Sequence, residues 1–287
     1  MEILKTNEIE RSGVTVLIYG DPGTGKTYAA GSLPEGKTLF LDAESGLVTL
    51  KGKKHDSIRL SENLADLKEI IEFVTSGRHE YENIVLDSAS ELEKWMLIRL
   101  GEGGKNDGAP ELRHYQITQF KMRDYLRRLR DLRERGVNVV VTALEYPLEL
   151  EAVDDVIRTK MYPMLSKRIA PEICGLFDIV GRCVVSQKEE TIGERFILLD
   201  PTGRSVGKNR WNDTRYIRNE DLGSFILGLR EEAAGVPAPR KPEKVEEPPT
   251  EMTPGERSRR ARTDDSDPRS FRSERRARRQ EKKEAKK

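Results

Sequence analysis

The run Gly20-Asp21-Pro22-Gly23-Thr24-Gly25-Lys26-Thr27 fits the spacing GxxxxGK[ST]. Glycines so spaced let backbone N–H groups wrap a string of phosphates with no Cβ in the way. A helix starting just after them adds partial positive charge. Lysine in the seventh place reaches the β and γ phosphates, and the hydroxyl in the eighth is placed for Mg²⁺. The expected ligand is ATP with Mg²⁺. A chance glycine-rich turn is the alternative, and it is disfavoured by the flanks: an apolar strand runs in and a helix runs out.

Two acids and a basic turn could complete that chemistry. Asp87 ends the apolar run NIVLD, where a carboxylate can hold Mg²⁺ through water beside Thr27. The competing role is a cap on the next helix, which Ser88 or Ser90 could also fill. Glu44 follows TLFLD, where an acid can activate an attacking water; the alternative is a solvated loop acid. AAA+ ATPases place that acid directly after the metal aspartate. Ser88 stands there in this chain, so the AAA+ arrangement is not expected. Lys208-Asn209-Arg210 is either a cation pair for transition-state charge or a basic surface turn.

These residues need a frame. Val14–Tyr19, Thr38–Asp42, Asn83–Asp87 and Val137–Thr142 are short, apolar and β-branched, as buried strands are; Ser57–Leu60 is a weaker one. Between them, Thr27–Leu33, Leu64–Thr75, Glu91–Leu100 and His114–Arg135 read as helices. In the last, Met122, Leu126, Leu129 and Leu132 form one apolar stripe. The alternation predicts an α/β domain, a mostly parallel sheet covered on both faces. Gly101–Pro110 reads as a flexible loop and Tyr146–Pro171 as irregular. Phe177–Val185 and Arg195–Asp200 read as a late antiparallel hairpin, Thr202–Gly207 as a turn, and Asp221–Arg230 as a last helix.

The chain has 287 residues, 35% of them charged, with a mean hydropathy of -0.68. Its net charge of +1 is uneven. Arg257–Lys287 holds 14 Lys/Arg against 6 Asp/Glu, a local +8 that leaves -7 for the rest. The expected division is an ATPase domain over 1–234 and a disordered charged tail over 235–287, too poor in apolar residues to pack. Cys174 and Cys183 sit in apolar surroundings and read as buried hydrophobes. The three histidines lack ligand spacing. No signal peptide or membrane-length run is visible, so a cytoplasmic protein without membrane partners is expected.

Several stretches are similar to one family. LFLDAESGL resembles the RecA segment carrying the catalytic glutamate, and NIVLDS resembles its metal-binding strand. GKNRW resembles a KNRF motif of RadA-type ATPases. The stretch from Gly108 to Glu145, with FDIV and the KNR turn, is similar to phage-encoded RecA-core ATPases of single-strand annealing and recombination. The resemblance spans about Val14–Arg230. It implies a RecA-like P-loop fold, ATP hydrolysis with Mg²⁺, single-stranded DNA as partner, and host cytoplasm if phage-encoded. It also implies Glu44 as catalytic acid and a homo-oligomer in which Lys208 and Arg210 reach a neighbour's γ-phosphate.

Two features depart from the family. Thr142-Ala143-Leu144-Glu145 stands where relatives carry a polar amide sensor. Only Met1–Gly13 precede the first strand, short of a polymerisation module. DNA loops are expected in Gly101–Pro110 and in Tyr146–Pro171, the second offering Arg158, Lys160, Tyr162, Lys167 and Arg168. A plain polar surface is the alternative for each, and a solvated tail is the alternative to a phosphate-attracting one. Two other functions stay open: an ATP-controlled scaffold for a replication or recombination protein, and a P-loop small-molecule kinase. An Arg-rich lid, which the kinase would carry, is not visible.

Overall fold

The computed structural model describes residues 13–60, 63–149 and 159–233. The expected disordered tail over 235–287 and Arg158 lie outside the described residues.

The P-loop strand β1 (Thr15–Gly20) leads into α1 (Lys26–Ala30), β2 (Thr38–Asp42) and β3 (Asp56–Arg59). Next come α2 (Leu64–Ser76), β4 (Asn83–Asp87), α3 (Ala89–Glu102), α4 (Leu112–Asp131) and β5 (Asn138–Glu149). The chain continues through β6 (Thr159–Pro163), α5 (Ala170–Leu176), β7 (Ile179–Val185) and β8 (Arg195–Leu198). It closes with β9 (Lys208–Asn209), β10 (Tyr216–Arg218) and α6 (Leu222–Ala233).

The sheet runs β10-β8-β7-β1-β5-β4-β2-β3. Strands from β7 to β3 are parallel, and β8, β9 and β10 join antiparallel. This is the expected α/β architecture with its late hairpin. Every residue of β1, β2 and β4 is buried, which explains why they read as unbroken apolar runs rather than alternating ones. β3 is the polar edge strand, and its charged side chains guard an open edge.

Two cores sandwich the sheet. Leu67, Ile71 and Val74 of α2, Leu92 and Met96 of α3, and Met122, Leu126 and Leu129 of α4 pack on one face with α5. Ala29 and Ala30 of α1 and Leu222, Ile226 and Leu229 of α6 pack on the other. Register has a polar pin as well. Asn138 Oδ1 accepts from the Val14 N–H (3.0 Å) while its Nδ2 donates to Asn83 Oδ1 (2.8 Å). That buried pair ties the starts of β1, β4 and β5, so a slip in any one would strand a polar group.

Three expectations change. The described parts of Tyr146–Pro171 include regular strands: β5 continues to Glu149 and pairs antiparallel with β6, Tyr146 opposite Tyr162 and Pro147 opposite Met161. Met161 N turns away from β5 to Arg204 O (2.7 Å), so Pro163 two residues on and Pro147 opposite Met161 face outward as well, where a missing N–H costs no β5–β6 ladder bond. Tyr19 anchors the ribbon, its hydroxyl donating to Val206 O (2.6 Å) and accepting from Val206 N (2.8 Å), with Met161 O at 3.2 Å.

Second, the expected loop Gly101–Pro110 begins only at Gly103. α3 takes in Gly101 and Glu102, and a Cβ on Gly101 would meet Gly108 O at 2.6 Å. Lys105 N bonds Glu111 Oε1 (3.0 Å), so these glycines serve close approach as well as turning. Third, α1 ends at Ala30, because Gly31–Leu33 turn away.

Candidate functional site

The loop Gly20–Thr27 has the backbone its glycines permit. Gly23 (φ 80°) and Gly25 (φ 85°) are left-handed, and a Cβ on Gly20 would stand 2.6 Å from Cys183 O. Asp21 and Thr24 make the tight turn, with Thr24 Oγ1 donating to Asp21 O (2.8 Å). Pro22 lies within that turn. Lys26 opens α1, and its buried ammonium donates to Gly20 O and Asp21 O, each at 3.0 Å. The cation thus lies folded inside the cradle, already stripped of most water.

Thr27 Oγ1 donates to Asp87 Oδ2 at 2.8 Å, joining the loop to the end of β4. Asp87 is 1% exposed, and Thr142 of β5 donates to its other oxygen. Burial raises the Asp87 pKa; hydrogen bonds from Thr142 and Thr27 pull it down, and Glu44 and Asp42 push it up again. A hydroxyl beside several carboxylates is a hard-oxygen set short of positive charge, so these residues fit Mg²⁺.

Glu44 arrives from another strand. Parallel register sets Asp42 beside Asp87, and one turn later the Glu44 N–H reaches Asp87 O (3.3 Å). Ser88 holds the side chain, donating to Glu44 Oε1 while its oxygen accepts from Glu91 N (3.3 Å) to cap α3. So Ser88, the expected rival to Asp87 for the capping role, does cap, which leaves Asp87 to Thr27 and Thr142. Glu44 is solvent-exposed and borders a cleft of about 630 Å³ that also touches Gly23, Gly25, Lys26 and Thr27.

The expected basic pair is elsewhere. Lys208 pairs with Val180 and Asn209 with Ile179, which lies beside Val16 of β1. That is four residues from Gly20, roughly 13 Å along a strand. Lys208 Nζ donates to Cys174 O (3.0 Å) and Gly175 O (3.1 Å), capping the end of α5. Its pKa falls to about 8 through burial and the neighbouring Arg210. Arg210 donates to Gly175 O (3.4 Å) and lies 3.8 Å from Asp178. The structure does not bring this pair to the loop of its own chain.

Glu145, in the sensor position, is engaged. Arg182 of β7 grips it with two bonds, 2.6 and 3.0 Å, across the end of β1; their side chains are 5% and 2% exposed. Lys160 and Tyr162 are half-buried on β6, and Lys167 and Arg168 are exposed just before α5.

The far wall of the cleft has no counterpart in the sequence reading. Arg195 Nε reaches Gly23 O (3.4 Å), and Asn219 Nδ2 donates to Thr24 O (2.8 Å) and Gly25 O (3.2 Å). Arg218 pairs with Glu194 at 3.0 Å. No spacing could reveal contacts between a loop and a hairpin some 170 residues later. Tyr28 was open to notice, being an aromatic directly after Thr27, half exposed and on the cleft.

Residues 12–211 match the family model described as AAA domain. No curated protein matches the chain. Among solved structures 215 chains match. One, titled the crystal structure of the RadB recombinase, is similar over 74% of this chain and 90% of that chain, at 15% identity and a TM-score of 0.40. No helix among the described residues is long and apolar enough to cross a membrane.

Proposed function

The chain belongs to this AAA-domain family and has a RecA-like P-loop fold, and on that premise we propose that it binds ATP and hydrolyses it at Glu44. The family name aside, the acid comes from β2 and not from the position after Asp87, the placement that resembles RecA. The observation that carries the reading is one connected constellation: Lys26 in its cradle, Thr27 on Asp87, and Glu44 held beside them by Ser88.

Lys26 leaves the carbonyls of Gly20 and Asp21 for phosphate oxygens, a gain because they carry full negative charge. Thr27 and Asp87 would hold Mg²⁺, which would supply charge neutralisation on the phosphates. Glu44 accepts the proton of the attacking water. Thr142 keeps one Asp87 oxygen occupied, which orients the other toward Thr27. Lys208 and Arg210, far from their own loop, would act on a neighbouring subunit's nucleotide. That role requires a homo-oligomer, and their α5 cap would be a second duty.

The substrate we propose is single-stranded DNA in recombination or annealing, met by the β5–β6 ribbon with Lys160 and Tyr162 and by Lys167 and Arg168. We assign the ATPase unit to 1–234 and the charged tail to 235–287. ATP turnover with and without single-stranded DNA, for the native chain, Lys26→Ala and Glu44→Gln, tests this. Lys26→Ala is expected to abolish turnover, and Glu44→Gln to cut it by roughly 10²-fold or more. DNA is expected to stimulate the native chain. Unchanged turnover in either variant sinks the site. Turnover indifferent to DNA replaces the DNA reading with an ATP-controlled scaffold for a replication or recombination protein.

A further inference from the structure

The proposed ATP site has a direction. Asp87 and Glu44 lie where the γ-phosphate is held and attacked, so sugar and base leave by the opposite end of the cleft. That end is walled by the β8 and β10 strands and the turn after them. Asn219, first residue of that turn, is fully buried and lines the cleft. Its Nδ2 is committed to two loop carbonyls, Thr24 O and Gly25 O, so the amide cannot turn over. Its Oδ1 is buried with no hydrogen-bond partner. Buried acceptors without donors are rare in native proteins and call for a reason.

The neighbours do not supply that donor. Arg218 is engaged by Glu194 and sits 5.9 Å above the Phe196 ring. Arg195 lies along the loop against Gly23 and Gly25. On the same cleft lies Tyr28, one residue past the metal-side threonine, an aromatic residue that is 50% exposed. An acceptor fixed in place and a half-exposed aromatic residue are the two elements that recognise a planar, aminated heterocycle.

We propose that Tyr28 and Asn219 form the base subsite of this chain. Tyr28 stacks on the ring, and Asn219 Oδ1 accepts from an exocyclic amino group, which selects adenine over purines that lack that group. The inference rests on the ATP-binding reading above and adds what sets base choice.

The test is equilibrium binding, with Mg²⁺, of the full chain to four probes: ATP, purine riboside triphosphate (no amino group), inosine triphosphate (carbonyl in its place) and inorganic triphosphate. ATP is expected to bind roughly tenfold tighter than either base analogue, the factor carried by one buried acceptor left unpaired. Tyr28→Ala is expected to weaken ATP roughly tenfold while leaving inorganic triphosphate unchanged. Equal affinity for ATP and both analogues, or no loss in Tyr28→Ala, overturns the base subsite. Inorganic triphosphate separates the two readings. If it binds, and Lys26→Ala abolishes that, the P-loop assignment stands whatever the bases do. If neither it nor ATP binds, both readings fall.

Discussion

Replacing Arg182 with Met removes a charge from inside the protein and leaves its partner there. The Arg182 and Glu145 side chains are 5% and 2% exposed, joined by bonds of 2.6 and 3.0 Å. Met fills much of the stem's volume, so the change is chiefly the loss of the guanidinium. Breaking one side of a buried pair costs about 3–5 kcal/mol, because the remaining charge has neither water nor counter-ion. For a domain of this size each kcal/mol lowers Tm by about 2–4 °C, so the expected fall is roughly 6–20 °C.

The double variant Arg182→Met with Glu145→Leu removes the stranded charge too. It is expected to recover most of the loss, since well-packed apolar residues replace buried pairs at little or no cost. Urea denaturation of the native chain, both single variants and the double closes a thermodynamic cycle whose coupling is the pair's own. A single variant within about 1 kcal/mol of native, or a double no better than the worse single, would refute the reasoning. The measurement also bears on Glu145 in the sensor position. A coupling of several kcal/mol means that this carboxylate is tied to Arg182 and unavailable to a nucleotide.

Two further expectations follow from buried titratable groups. Burial raises the Glu93 pKa, against the pull of its bond from Ser166 N (2.8 Å). A group whose pKa is higher folded than unfolded contributes stability at low pH that is lost as pH rises through the folded value. The fall in stability as pH rises from the ordinary carboxylate range to neutrality should therefore shrink in Glu93→Gln, read by denaturation at pH about 4 and about 8; an unchanged fall contradicts it. Cys174 and Cys183 are buried, with thiols pushed up to about 12 by burial. A thiol-reactive dye at pH about 8 should label neither in the native chain and both in denaturant; labelling of the native chain within minutes contradicts it.

The loop and the parallel sheet were legible because each rests on local pattern. Gly20–Thr27 carries its chemistry in consecutive residues, and VTVLIY, TLFLD, NIVLD and VNVVVT announce burial on both faces. Glu44 was legible as a residue but not as a neighbour. Its meeting with Ser88 depends on β2 lying next to β4, which a linear text does not state. Pro147 and Pro163 masked a ribbon, because proline reads as a breaker wherever the partner strand is unseen. Asn219 and Arg195 were invisible for a similar reason: their acceptors are backbone carbonyls of the loop, which have no residue signature. Lys208 was legible as a basic turn, but its bond to the end of α5 was not, since that acceptor too is a backbone carbonyl.

Strand β5 is one long strand with a root inside the sheet and an arm that runs past it. Its root is held by β4 over Asn138–Val141 and by β1 over Val139–Leu144, and Thr142 grips Asp87 there. Its arm, Glu145–Glu149, is flanked by β6 alone. Seven residues separate Thr142 from Glu149, an arm of roughly 24 Å at strand spacing. Over that length a tilt of about 3° at Thr142 corresponds to a shift of about 1 Å at the end. Tyr19 is the fulcrum strap, rooted in the strand that carries the phosphate loop and bonded to the backbone at Val206. One strand therefore joins the metal-side carboxylate to the outer ribbon, and any tilt at its root would be measured out over the length of the arm.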